Sequence, residues 1–429
     1  MNEAGIKEKI TVVYFVSLGV LMYYLLTQII NIPYTIPVRQ LVVFLILFSE
    51  FVYFINFPNI ARTYISIKGA LILSAPLLVM VTVSLPIWFI HKTEWVEIYR
   101  ALWDYFLYVN QLLAAFVAAA FLYLFGEKGI WYNLTSILIA NLMMIITIML
   151  ESGVGEYLKE LTRLIFTFAG ETGSVIQKAE IHELAFCLGA YLVYMLLFFS
   201  HNKKFLILLL LTLFCFLSAF KRIAMVAIAV AVSIGWLFRW LNKKGRDKIV
   251  QRSMIVILLA ICSVLVLYIA FVRYGGFHVL EKMGIDTMSR AEIYDEVEEY
   301  YTFSPTYIGH GMGYLNYQLT RVRELWETAI HNDFLQFYID LGFWGYILWL
   351  LSLTVLRVKF FGSGNKTECG ILAFSMTCYV MILSTTDNTL NYQMFYTATG
   401  IIILGHRFDK NVQEADEKLF GFIEKQNRR

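Results

Sequence analysis

His331 and Asn332 stand at the head of an apolar run, AIHNDFLQFYIDLGFWGYILWL (329–350), where a polar stretch gives way to a segment long enough to enter a bilayer. An imidazole at that boundary titrates near neutral pH and can take a proton from an attacking hydroxyl. At ~100° per helical residue, His331, Leu335, Tyr338, Gly342 and Gly345 fall on one face, and the two glycines admit a neighbouring helix or a lipid chain. Asp340 falls on the opposite face. A structural interfacial histidine explains the same residues, so a chemical role for His331 needs support from elsewhere in the chain.

Fixed positive charge would supply it. Arg290 opens the segment MSRAEIYDEVEEYY, with Asp286 before it and Glu292, Asp295, Glu296, Glu298 and Glu299 after it. The pattern fits a loop helix from Met288 to Tyr301, whose arginine is either half of a surface ion pair or a cation held for an anion. Lys221 and Arg222, in LSAFKRIAMVAI, carry a similar pair of readings: snorkelling anchors, or cations at the outer mouth of a helix bundle. The planar fork of arginine matches phosphate oxygens two at a time, which suits it to the second task. PTYIGHGMG (305–313) is a glycine-rich turn holding His310, and Arg321 and Arg323 follow it with the same double interpretation. His310 and Asp387, in the last outer turn, are further candidates for a base. Glu50, inside an apolar run, is either a proton site or a hydrogen-bonded structural group. There is no DxD-like pair, HExxH, Walker or GxSxG motif, and the five cysteines form no zinc pattern. No metal, no cofactor and no nucleic-acid partner is expected.

What must position these residues is a membrane-embedded bundle. Of 429 residues 59% are hydrophobic and 16% charged, against about 25% charged in a soluble domain. Twelve spans are expected, at roughly 10–30, 38–56, 69–90, 103–125, 130–150, 181–200, 204–220, 223–240, 253–273, 334–356, 369–386 and 389–405. The first is read as uncleaved, and Asp104 weakens the fourth. One helix over 205–238 would be about 50 Å long, so Lys221 and Arg222 belong at a turn between two spans. With both termini inside, 22 of the 35 lysines and arginines are inner and 13 outer, which gives N-in and C-in by the positive-inside rule. Residues 1–405 then form one transmembrane domain, with 274–333 as a large outer loop between the ninth and tenth spans. Residues 406–429 form a short, charged, solvated inner tail.

Taken in order, these residues resemble the O-antigen ligase/O-antigen polymerase superfamily of bacterial envelope proteins, the Wzy-type polymerases and their ligase relatives. That family carries H-[NSQ]-x9-G-xx-[GTY] at the end of its large outer loop, matched here by His331, Asn332, Gly342 and Gly345. Upstream it shows an arginine opening a loop helix, here Arg290, and a proline-led turn of alternating glycines, here Pro305 to Gly313. Its earlier S-x-S-R resembles Leu217 to Arg222, with Phe220-Lys221 in place of the small residue before Arg222. The matching positions run from about 217 to 345.

The resemblance implies an all-α, multi-span glycosyltransferase (GT-C-like) fold in the bacterial cytoplasmic membrane. It also implies metal-independent transfer from an undecaprenyl-diphosphate-linked glycan. On that implication His331 accepts or holds the attacking sugar hydroxyl and Asn332 orients either partner. Arg290, Arg222 and Lys221 bind the diphosphate. Apart from the resemblance, Arg321, Arg323, His310 and Asp387 are further candidate substrate contacts. Gly342 and Gly345 border a groove for the lipid. The expected reaction is polymerisation of lipid-linked repeats into O-antigen, capsule or exopolysaccharide, alongside a flippase and a chain-length regulator. A ligase moving finished glycan to another acceptor would use the same site. A flippase or other transporter is a third reading, against which stands the lack of internal duplication.

Overall fold

A computed structural model of the chain describes residues 5–6, 10, 35–104, 106–167, 175–179, 181–284, 287, 289–319, 330–363, 366–389 and 392–427. Among these, all regular structure is helical, as expected where each span must satisfy its own backbone groups. In chain order the helices are α1 (Thr35–Asn56), α2 (Ile60–His91), α3 (Trp95–Asp104), α4 (Phe106–Phe125), α5 (Lys128–Ser152), α6 (Val154–Thr167), α7 (His182–Leu197), α8 (Lys203–Ala219) and α9 (Arg222–Lys243). There follow α10 (Asp247–Arg273), α11 (Gly276–Lys282), α12 (Arg290–Val297), α13 (Tyr314–Tyr317), α14 (Asp333–Leu351), α15 (Arg357–Phe361), α16 (Thr367–Ser384), α17 (Gln393–Gly405) and α18 (Phe408–Asn427). Among the described residues six segments are long and apolar enough to cross a membrane: α2, α5, α9, α10, the continuous run Asp333–Phe361, and α16. Shorter apolar helical segments are Phe44–Asn56, Leu112–Phe125, His182–Leu197 and Gln393–Gly405. The chain is a polytopic helical membrane protein. Of the expected span 10–30 only Ile10 is described, and the span expected from 103 begins instead at α4, with Asp104 closing a separate helix.

The chain divides into two compact units, one comprising Met1–Leu71, Leu113–Val232 and Met394–Arg429, the other Ile72–Leu112 and Ser233–Gln393. In the first, the long apolar stretch 205–238 breaks at Phe220, a left-handed residue (φ 35°) whose N–H bonds the Leu217 carbonyl, and α9 starts at Arg222. The two cations therefore stand at a turn, as their desolvation cost inside one helix demands. Asn202 caps the start of α8 by accepting from the Lys204 N–H at 3.0 Å. The buried Tyr191 of α7 donates to Asn133 of α5 at 2.6 Å. The tail from 406 departs from the solvated end expected of it. Phe408 is fully buried, and Asp409 accepts from the Glu127 N–H at 3.1 Å and pairs with Arg62 at 3.4 Å, so α18 is docked at its start.

In the second unit α14 is not one straight helix. Gly342 interrupts it at φ 70° and ψ −179°, a backbone region open essentially to glycine alone. The helical hydrogen bonds lost there are replaced by the turn 305–313. The Tyr307 hydroxyl donates to the Ile339 carbonyl at 2.8 Å, and the Tyr307 carbonyl accepts from the Phe343 N–H at 2.9 Å. The Asp340 carbonyl accepts from the N–H groups of His310 (3.1 Å) and Gly311 (2.7 Å). Its carboxylate, fully buried, accepts from the N–H groups of Gly313 (2.8 Å) and Leu315 (3.0 Å). Gly309, Gly311 and Gly313 all have positive φ, which is how one short turn aims so many N–H groups at a single residue.

This overturns the shared helical face expected for His331, Gly342 and Gly345. His331 precedes the helix at φ 48°, and the 100° count fails at the kink. Gly342 meets the backbone of Ile308 and Gly309 and not a lipid groove, while Gly345 lies against Val83 of α2.

Candidate functional site

The junction between the outer segment and α14 is built by Asn332. Its side-chain oxygen caps the helix by accepting from the Leu335 N–H at 3.1 Å. Its amide hydrogens go to the hydroxyls of Tyr268 on α10 (2.9 Å) and Tyr294 on α12 (3.0 Å), and its backbone N–H to the Asn388 side chain at 3.1 Å. The residue is wholly buried, so the amide expected to orient a substrate is committed to the fold instead. Burial raises the Tyr294 hydroxyl above the usual phenol range, with the bond from Asn332 and the charge of Arg290 opposing, and it stays neutral.

His331 differs from its neighbour. Its side chain is 45% exposed, and Nδ1 lies 4.0 Å from Oδ1 of Asp387, beyond hydrogen-bond reach but close enough for attraction. The Asp387 carboxylate is buried and accepts from the Asn388 N–H at 2.8 Å and the Tyr392 hydroxyl at 3.0 Å. Thr389 donates to Asp333 at 2.7 Å. After α16, residues 387–389 thus face 331–333 one by one, with hydrogen bonds at two of the three positions.

Arg290 reaches the same segment. Half-buried at the start of α12, it donates through Nη2 to the Thr386 carbonyl at 3.0 Å and through Nη1 to the Thr287 carbonyl at 3.4 Å. Its Nε is buried without a partner. Among the described residues no carboxylate pairs with it. Two of its acidic neighbours are engaged elsewhere, Asp295 with His278 at 2.9 Å and Glu298 with Arg273. The ion-pair reading of Arg290 therefore fails among these residues. A guanidinium and an imidazole converge on Thr386-Asp387, over a layer of half-buried Tyr268 and buried Tyr294 and Asn332. Of these Tyr294 had a sequence signal, lying one helical turn from Arg290; Tyr268, Thr386 and Asn388 had none.

His310 belongs to a different cluster. Its Nε2 donates to the Tyr300 carbonyl at 3.0 Å, and its ring stacks on Tyr314 (centroids 4.0 Å apart, 16°) and on His91 (5.6 Å, 24°). Burial holds its pKa below the ordinary histidine value. Arg321 and Arg323 lie outside the described residues. Lys221 and Arg222 are in the first unit, at the start of α9, Arg222 exposed. A cation at a helix N-terminus opposes the macrodipole by about 0.3–1 kcal/mol, so that end gains from an anion.

Residues 206–350 match a family model described as O-antigen ligase. No curated protein matches the chain. The matched stretch starts in α8, ends in α14, and holds Lys221, Arg222, Arg290, the glycine turn and His331. At the level of the family this supports glycosyl transfer of ligase or polymerase type. Over 206–350, the chain is similar to the O-antigen ligase family, in line with the resemblance that its motif residues carry.

Proposed function

We propose that the chain polymerises a bacterial surface polysaccharide, in a GT-C-like membrane fold with both termini inside. It moves an undecaprenyl-diphosphate-linked glycan onto a sugar hydroxyl of a lipid-linked repeat unit at the outer face of the cytoplasmic membrane. The observation that carries this reading is Arg290, a half-buried guanidinium with an unbonded Nε and no described carboxylate, which reaches the same 386–387 segment as a half-exposed histidine. A cation so placed is costly until an anion completes it, and a diphosphate leaving group is such an anion. His331 takes the proton of the attacking hydroxyl as the new C1–O bond forms and the C1–O bond to the diphosphate breaks on the opposite side, inverting the anomeric centre. Lys221 and Arg222 are a second candidate contact for phosphate. A flippase that delivers repeats and a chain-length regulator fit as partners.

A ligase is the second reading, favoured by the description of the matched family. The lipid-linked glycans of a strain lacking this protein separate the two. Single repeats accumulating in the outer leaflet mean polymerase, whereas long chains retained on undecaprenyl diphosphate mean ligase. Single repeats confined to the inner leaflet would replace both with a flippase. Returning His331→Ala or Arg290→Ala, expressed at normal levels, is expected to restore no product. Full product from either variant overturns the site.

A further inference from the structure

A cavity of about 290 Å³ opens in the second unit between the end of α2, the start of α3 and the segment 310–318. That is near the lower limit of ligand cavities, about 300–1,000 Å³. Its walls combine two kinds of surface. Trp88, Tyr314 and Tyr317 supply aromatic surface, with His310 stacked on Tyr314. Glu94 and Glu97 supply carboxylates and Lys92 an ammonium, and none of the three is in an ion pair among the described residues. His310 adds an acceptor, since its Nε2 carries the proton given to the Tyr300 carbonyl and burial keeps the ring neutral, leaving Nδ1 its lone pair.

An acceptor-rich rim around aromatic faces is complementary to a sugar. The C–H face of a pyranose covers the aromatic rings, and its hydroxyl or amide hydrogens go to the carboxylates in charge-assisted bonds. The two carboxylates outnumber the one ammonium of Lys92, so the wall disfavours a diphosphate and suits the carbohydrate part of a lipid-linked glycan better than its lipid-phosphate end. The cavity is also built as part of the His331 assembly. Its 310–318 wall hangs from Asp340 through the Gly313 and Leu315 N–H groups, and Asp340 stands just over two turns along α14 from the Asn332 cap, an axial rise of about 12 Å.

We propose that this cavity is a glycan subsite, holding a sugar residue of the lipid-linked substrate away from the bond that reacts. The inference rests on the glycosyl-transfer reading above. The probe is the single repeat-unit oligosaccharide released by mild acid from the lipid-linked glycan of the producing strain. It is titrated by saturation-transfer NMR onto the full-length protein in nanodiscs. Glu97→Gln and Tyr317→Ala are each expected to weaken binding tenfold or more with the melting temperature unchanged. Glu97→Gln, which alters no backbone contact, keeps the test decisive if Tyr317→Ala fails to fold. Affinity within twofold of the wild type for a folded Glu97→Gln variant, or no binding of the probe to the wild type, overturns the subsite. Product assays in cells separate the two levels. If His331→Ala abolishes polymer while the cavity variants bind and polymerise normally, the subsite alone is wrong. If His331→Ala also polymerises normally, the functional reading falls with it.

Discussion

Removing the Asn332 side chain takes away a helix cap and the amide shared by the hydroxyls of half-buried Tyr268 and buried Tyr294. Removing the His331 imidazole takes away a half-exposed ring. A cap is worth about 1 kcal/mol and each buried polar group left unmet costs about 1–3 kcal/mol. Asn332→Ala is therefore expected to lower the melting temperature of the detergent-solubilised protein by several degrees and to lose product with it. His331→Ala is expected to melt as the wild type does and still make no product. Equal melting temperatures for the two variants would contradict this division. The family pattern marks both residues alike; what separates them is packing against Tyr268, Tyr294 and Asn388, which lie 64, 38 and 56 positions away in sequence.

His310 provides a pH test at the same scale. Burial lowers its pKa in the fold below the ordinary 6.5, so the folded protein binds fewer protons than the unfolded chain between those two values. The contribution of this residue to stability is intact above pH 6.5 and declines as pH falls from there towards the folded value. Melting temperatures between pH 7 and 5 are expected to fall less steeply for His310→Phe than for the wild type. A parallel decline in both would show that this ring does not titrate with unfolding.

At the scale of elements, the kink in α14 and the glycine turn are a single construction, and the two motif glycines within it are not equivalent. At Gly342 an added Cβ runs into the Ile308 carbonyl and is also strained by the backbone. At Gly345 it meets Val83 Cγ1 at 2.6 Å, a side chain that can turn aside. Gly345→Ala should cost about 1–3 kcal/mol, as overpacking does, and leave a folded protein. Gly342→Ala should cost more and yield little folded protein. Size-exclusion recovery after solubilisation measures both, and a Gly342→Ala variant as stable as Gly345→Ala would refute the account. Helical periodicity could not show this, because it assumes a regular ladder. The signals present were the buried-type acid Asp340 within an apolar run and the alternating glycines, whose joint meaning needs the fold. The break between α8 and α9, by contrast, was legible because length and charge leave no other solution.

For the whole molecule, apolar content and run length identify a polytopic membrane protein, while the number of spans is less legible: the short α3 and the docked, polar α18 are indistinguishable by composition from loop and tail. Orientation rests on the asymmetry of Lys and Arg and has a direct check. All five natural cysteines are buried, so labelling by a membrane-impermeant maleimide starts from a low background. On the N-in, C-in expectation, Glu298→Cys should label in intact spheroplasts, whereas Lys244→Cys should label only after permeabilisation. The opposite pattern would invert the topology and place His331 on the inner side.

The Tyr307 bridge into α14 also dictates an order of assembly. Asp333 and Asp340 lie in the first turns of α14, and their partners are Thr389 in one case and the glycine turn in the other. Handed alone to the hydrocarbon, a carboxylate on a helix costs about 2.5–3.5 kcal/mol even by the mildest scale. During synthesis the turn emerges before α14 does, so it is already waiting when the helix arrives, whereas Thr389 comes later. The first nine residues of α14 thus take their final place only where the turn has already been delivered. A loop carried to the wrong side of the membrane would leave the helix without its kink and its histidine without a setting.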